Sequence, residues 1–104
     1  MKMTKLVDIC NIIRSKNSGP YELTLDIIFK SKEEFNMICE KKIINENLIC
    51  NLYRIKKEDI INIVEFNPAN AIKVTIKRPI ASGNLGESDV YGAQQHAPLL
   101  TVEF

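Results

Sequence analysis

The sequence predicts an α+β fold, a mainly antiparallel sheet with two short helices packed on one face. Three observations carry that prediction. Residues 21–29 alternate Tyr21, Leu23, Leu25, Ile27 and Phe29 against Glu22, Thr24, Asp26 and Ile28, period two sustained over nine residues. Residues 32–41 and 46–53 then change to helical spacing, each segment behind a residue suited to cap a helix. Beyond them the chain returns to runs rich in β-branched side chains at 60–66 and 71–77, so strands flank a helical centre.

The first segment, residues 5–16, admits two readings. Leu6, Ile9, Cys10 and Ile13 fit one face of a helix, whereas Leu6-Val7-Asp8-Ile9-Cys10 followed by Ile12 and Ile13 fits a strand with a bulge. The turn residues Asn17-Ser18-Gly19-Pro20 separate this segment from the alternating one, which favours two antiparallel neighbours, and a strand is the expectation. Ser31 offers an oxygen to the backbone donors of the first helix, with Glu34 spaced to complete a capping box, and Phe35, Ile38 and Cys39 form the apolar face. Asn45 starts the second helix, whose apolar face is Leu48, Ile49, Leu52 and Tyr53.

Lys57 to Asp59 form a turn before the strand containing Ile60, Ile61, Ile63, Val64 and Phe66. Asn67-Pro68 stops that strand, because the residue before proline is pushed out of the helical region and proline has no N–H for a ladder. Ile72, Val74 and Ile76 then oppose Lys73, Thr75 and Lys77 in a half-buried strand ended by Arg78-Pro79. Residues 81–98 carry Gly83, Gly86, Gly92 and Pro98 with few large apolar groups and read as a long loop, of a length that points to function. Leu99 to Phe104 closes the chain as a last strand.

Size and charge narrow the function. At 104 residues the chain is expected to be one domain, 1–104. A barrel of eight βα units takes about 250 residues, and a two-lobed dinucleotide enzyme takes more than one βαβαβ half. A single small core leaves little to wall off a deep pocket, so an active site is expected to be shared with another chain. The net charge of +1 and the lack of a strongly basic character argue against a nucleic-acid partner. Asp8, Asn11 and Arg14 interrupt any secretory apolar segment, and there is no run of about 18 apolar residues for a membrane span. Cys10, Cys39 and Cys50 are odd in number and without a C-x-x-C pair, the pattern of reduced thiols in a cytoplasmic protein. With the sole histidine at position 96, no metal site is expected, and no cofactor is called for. Residues 66–86 contain Lys73, Lys77 and Arg78 but no acid; they read as a solvated sheet face or, alternatively, an anion-facing patch.

Three polar segments hold the candidate functional residues. Arg14-Ser15-Lys16-Asn17-Ser18-Gly19-Pro20 places two cations beside a glycine turn, where backbone N–H groups and a guanidinium can converge on carboxylate or phosphate; the plain alternative is a polar hairpin turn. Arg14, Lys16 and Asn17 are its candidate ligand-binding residues. Asn67-Pro68-Ala69-Asn70 adds Asn70, whose plain reading is turn chemistry. Asp89-Val90-Tyr91-Gly92-Ala93-Gln94-Gln95-His96-Ala97-Pro98 gathers the remaining candidates. There His96 can serve as a general base, Asp89 can orient it, and Tyr91, Gln94 and Gln95 can bond a carbonyl oxygen. The same side chains can instead satisfy the backbone of an ordered loop. Cys10, among apolar neighbours, is a poor nucleophile because burial disfavours its thiolate.

These three segments, with Tyr21-Glu22-Leu23-Thr24-Leu25-Asp26-Ile27, Ala71-Ile72-Lys73, Arg78-Pro79 and Leu99-Leu100, resemble domain of unknown function 4387 over nearly the whole chain. The resemblance extends to the small ferredoxin-fold domain of AtuA-like proteins, the acyclic terpene utilisation family. In that domain the first segment reads R-S-G-D-K-G; Arg14-Ser15 match it and Lys16-Asn17-Ser18 depart. The resemblance implies a ferredoxin-like fold and a bacterial cytoplasmic small subunit or accessory domain partnered by an AtuA-like large chain. It further implies a carboxylate or CoA-ester ligand and a role in breaking down branched or unsaturated acids. Two other readings of the residues stay open: a homo-oligomeric lyase or hydratase with His96 as base at a subunit interface, and a metabolite-binding module without catalysis.

Overall fold

The computed structural model describes residues 3–19, 21–77 and 97–104. Strands β1 (Cys10–Gly19), β2 (Glu22–Phe29), β3 (Ile60–Phe66) and β4 (Ala71–Lys77) form one antiparallel sheet in the order β1-β2-β4-β3. Between β2 and β3 the chain forms helices α1 (Lys32–Lys41) and α2 (Glu46–Tyr53). The result is the expected α+β, ferredoxin-like arrangement, four antiparallel strands with two helices.

The alternation in β2 decides which side is the core. Leu23, Leu25, Ile27 and Phe29 point to the helices and pack with Ile72, Val74 and Ile76 of β4, Phe35 and Ile38 of α1, and Ile49 of α2. The rings of Phe29 and Phe35 meet at 6.1 Å between centroids, tilted by 57°, within the range in which aromatic pairs attract. Both central strands contribute to one apolar layer, and burying it is what holds the helices down.

Both helix starts form as the sequence predicts. Ser31 Oγ accepts from the Glu34 N–H at 3.3 Å, and Asn45 Oδ1 accepts from the Leu48 N–H at 2.9 Å. The Glu34 half of the first capping box is not made; its Oε2 is buried without a hydrogen-bond partner. Both helices end on exposed residues in the left-handed region, Lys42 at φ 51° and Arg54 at φ 55°. A β-carbon there costs about 1–2 kcal/mol, and glycine gives back part of the gain through the entropy of the unfolded chain. Lys42→Gly and Arg54→Gly are each expected to stabilise the protein by about 0.5–1 kcal/mol. Urea denaturation checks this, and a lowered midpoint for either variant contradicts it.

Two expectations need correction. Within residues 5–16 the strand begins only at Cys10; Leu6–Ile9 is a 3-10 turn that buries Leu6 completely. At the other end, Leu99 to Phe104 is not a full strand. Ala97–Thr101 is a 3-10 turn, and only Glu103 bridges to Lys5, with Thr4 and Phe104 exchanging backbone bonds of 2.7 and 2.9 Å. Pro98 has no N–H to give a ladder. Leu99 and Val102, three residues apart, are both buried, a spacing that suits a 3-10 turn and not a pleat. This turn packs against Leu6–Ile9 and α2. The long loop expected at 81–98 lies, except for Ala97 and Pro98, outside the described residues.

Candidate functional site

Period two sends every second residue of the sheet away from the helices, and the register aligns them in three rows across all four strands. Ile12, Ile28, Ala71 and Phe66 form the first row, Arg14, Asp26, Lys73 and Val64 the second, and Lys16, Thr24, Thr75 and Asn62 the third. Neighbouring rows lie two residues apart along each strand, about 6.8 Å. The open face therefore grades from apolar through charged to polar, and each row mixes side chains from segments distant in sequence.

Most of these residues, with Ala69, line a concavity of about 380 Å³, at the small end of the range for ligand clefts. At its floor Asp26 is only 5% exposed although it lies on the open side of the sheet. Its carboxylate accepts from Arg14 Nε at 2.9 Å, and Lys16 Nζ stands 3.9 Å from the same oxygen. The side chains of Arg14 and Lys16 stay more than half exposed themselves. Lys73 sits across the ladder from Asp26 and makes no ion pair among the described residues. Three cations against one carboxylate leave the lining with a net charge of +2. The bond to Asp26 uses Nε of a guanidinium with five donors, so Arg14 can hold Asp26 and an incoming anion together.

The structure brings some sequence candidates here and leaves others elsewhere. Arg14 and Lys16 line the concavity. Asn17 pairs with Leu23, a residue of the helix side, so the register separates it from them. Asn70 adopts the left-handed conformation at φ 51°, donates its N–H to the Asn67 carbonyl at 3.1 Å and accepts from the Phe29 N–H at 2.9 Å. It is a turn residue, and its neighbours Ala69 and Ala71 are the ones that reach the concavity. Asp89, Tyr91, Gln94, Gln95 and His96 lie outside the described residues.

Ile28, Val64 and Phe66 are not among the site residues the sequence singles out, and Lys73 stands there only within an acid-free stretch whose alternative reading is an anion-facing patch. The alternation that carried the strand reading also placed Lys73 and Thr75 on one face, but only the strand order sets Lys73 opposite Asp26.

No activated nucleophile stands among the described thiols whose titration is displaced. Burial, with the nearby Glu34 carboxylate adding to it, pushes the Cys10 thiol up to about 12. Burial and then a bond to Glu65 push Cys39 up to about 11. Thiolate is the reactive form, so both are inert near neutral pH. Burial likewise raises Tyr53. No group of three or more His, Cys, Asp or Glu that could hold a metal occurs among the described residues. No helix among them is long and apolar enough to cross a membrane. What the open face offers chemically is a hold on an anion next to an apolar surface.

The family model described as domain of unknown function (DUF4387) matches residues 6–103. No curated protein and no solved structure matches.

Proposed function

The chain belongs to the DUF4387 family over nearly its whole length, and on that premise we propose that it is an accessory subunit or accessory domain of an AtuA-like enzyme assembly in the bacterial cytoplasm. It contributes the open sheet face as one wall of a site that the larger chain completes. The assembly acts on branched or unsaturated acids or their CoA thioesters.

The graded open face is the observation that carries this reading. It has a floor of charge and an apolar margin, and Ile12, Val64 and Phe66 on it are each more than 40% exposed. Exposed apolar side chains gathered on one face beside convergent polar groups mark a surface built to be covered. The described lining supplies cations, a carboxylate already engaged by two of them, and neutral groups, which suits binding and orientation more than bond making.

Co-expression with an AtuA-like large chain tests the proposal. The two chains are expected to co-elute in size-exclusion chromatography, and Phe66→Glu is expected to weaken co-elution while leaving the circular dichroism of the chain unchanged. Separate elution of the parent chains overturns it, as does turnover of a branched acid by this chain alone.

A further inference from the structure

We propose that the open sheet face binds an amphipathic anion, a medium-chain carboxylate, with its head group between Arg14 and Lys73 and its chain laid along the row Ile12, Ile28, Ala71 and Phe66. The proposal rests on the reading that this face is the working surface of the chain. It adds the ligand class and the direction in which the ligand lies.

Charge sets the head group. Asp26 neutralises one of the three cations around it, and the remaining +2 faces outward from a floor whose only carboxylate is 5% exposed. A second carboxylate placed there meets two side chains from opposite neighbours of β2, Arg14 on β1 and Lys73 on β4. Each such charge-assisted bond is shorter and stronger than a neutral one.

The rows set the direction. The third row, Lys16, Thr24, Thr75 and Asn62, carries a cation, two hydroxyls and an amide, a poor bed for a hydrocarbon chain. On the other side of the charged row every residue is apolar, and Phe66 is 54% and Ile12 42% exposed. Covering that surface with an acyl chain removes apolar area from water, which favours binding. From Ile28, beside the head group, the row runs two inter-strand gaps to Phe66 on β3, about 10 Å, and one gap to Ile12 on β1, about 5 Å, so a medium-length chain covers it toward one edge of the sheet. An anion without a chain uses only the charged row, and a chain without an anion leaves the cations unanswered. The pairing of the two is what selects the class.

Octanoate is the probe, with acetate and octan-1-ol as controls, titrated into the isolated chain and followed by amide chemical shifts. Octanoate is expected to bind saturably, with the largest shifts at residues 12, 14, 28, 66 and 73. Acetate and octan-1-ol are each expected to bind about tenfold more weakly or less, a difference of about 1.4 kcal/mol. Lys73→Gln and Lys73→Glu are both expected to weaken octanoate by about tenfold or more with the spectrum still dispersed. Equal binding of octanoate and octan-1-ol overturns the proposal. So does unchanged octanoate binding in Lys73→Gln, or shifts confined to the helices. Co-elution with the AtuA-like chain is read separately. Octanoate binding without co-elution leaves this inference standing and removes the assembly; co-elution without octanoate binding does the reverse.

Discussion

Phe35→Ala is expected to cost about 3–5 kcal/mol of folding stability, the largest effect of any single change considered. Phe35 is 2% exposed and its ring lies against Phe29 on the central strand β2, so it is a principal contact between α1 and the sheet. Truncation removes the transfer free energy of the ring and leaves a cavity that a short helix capped at Ser31 closes only in part. A domain of this length has a total stability of about 5–15 kcal/mol, so the variant retains a fraction of it. At about 4–8 °C per kcal/mol for a chain near 100 residues, the thermal midpoint is expected to fall by about 15–30 °C. Phe66→Ala is the matched control. The same side chain on the open face, 54% exposed, is expected to change stability by about 0.5 kcal/mol or less. Comparable losses in the two variants contradict the assignment of the helix side as the core and the other as open.

The helices and three of the strands were legible in the sequence because their local signals agree with their burial. Residues 32–41 and 46–53 return as α1 and α2 with the same bounds, since Ser31 and Asn45 cap them and Phe35, Ile38 and Ile49 fall on their buried sides. Residues 5–16 were ambiguous for a physical reason: a 3-10 turn runs into a strand whose pairing slips between Cys10 and Ile12, so neither period holds throughout. The ends misled because Leu99 and Val102 are buried at a spacing of three in a segment that otherwise looks extended.

The site was legible by halves. Arg14 and Lys16 stand out in a polar run, but Lys73 belongs to an ordinary alternating strand and gains its place only from the pairing of β4 with β2. Asp26 reads as a solvent-facing residue by alternation, yet the side chains of Arg14 and Lys16 cover it. In β3, Ile60, Ile61, Ile63, Val64 and Phe66 are apolar on both faces. Nothing in their order tells that Val64 and Phe66 stay exposed while Ile63 is half-buried. A site made of rows across a sheet is written in the register, and register is a property of several segments at once.

Asp26→Asn is expected to move stability and ligand affinity in opposite directions. The amide keeps an oxygen to accept from Arg14 Nε but loses the charge that Arg14 and Lys16 both approach. Hydrogen bonds to charged groups are worth about 1.5–3 kcal/mol, and both cationic side chains here are more than half exposed, so solvent screening reduces that figure. A loss of about 0.5–1.5 kcal/mol of folding stability is expected. In the concavity the net charge of the lining rises from +2 to +3. Removing a negative charge about 6–10 Å from a bound carboxylate relieves a repulsion of about 1.7–2.8 kcal/mol at an effective dielectric of about 20; solvent and salt at this open face reduce it to about 0.7–1.4 kcal/mol, so octanoate is expected to bind about threefold to tenfold more tightly. Asp26→Ala separates the two roles of the carboxylate. It removes the same charge and also the acceptor that holds Arg14 in place, so its affinity is expected to fall below that of Asp26→Asn. Urea denaturation and octanoate titration on the same preparations read both quantities. Weaker octanoate binding in Asp26→Asn than in the parent means that the carboxylate serves the ligand by holding Arg14 and Lys16 in position, and that its own repulsion of the anion is the smaller of the two effects.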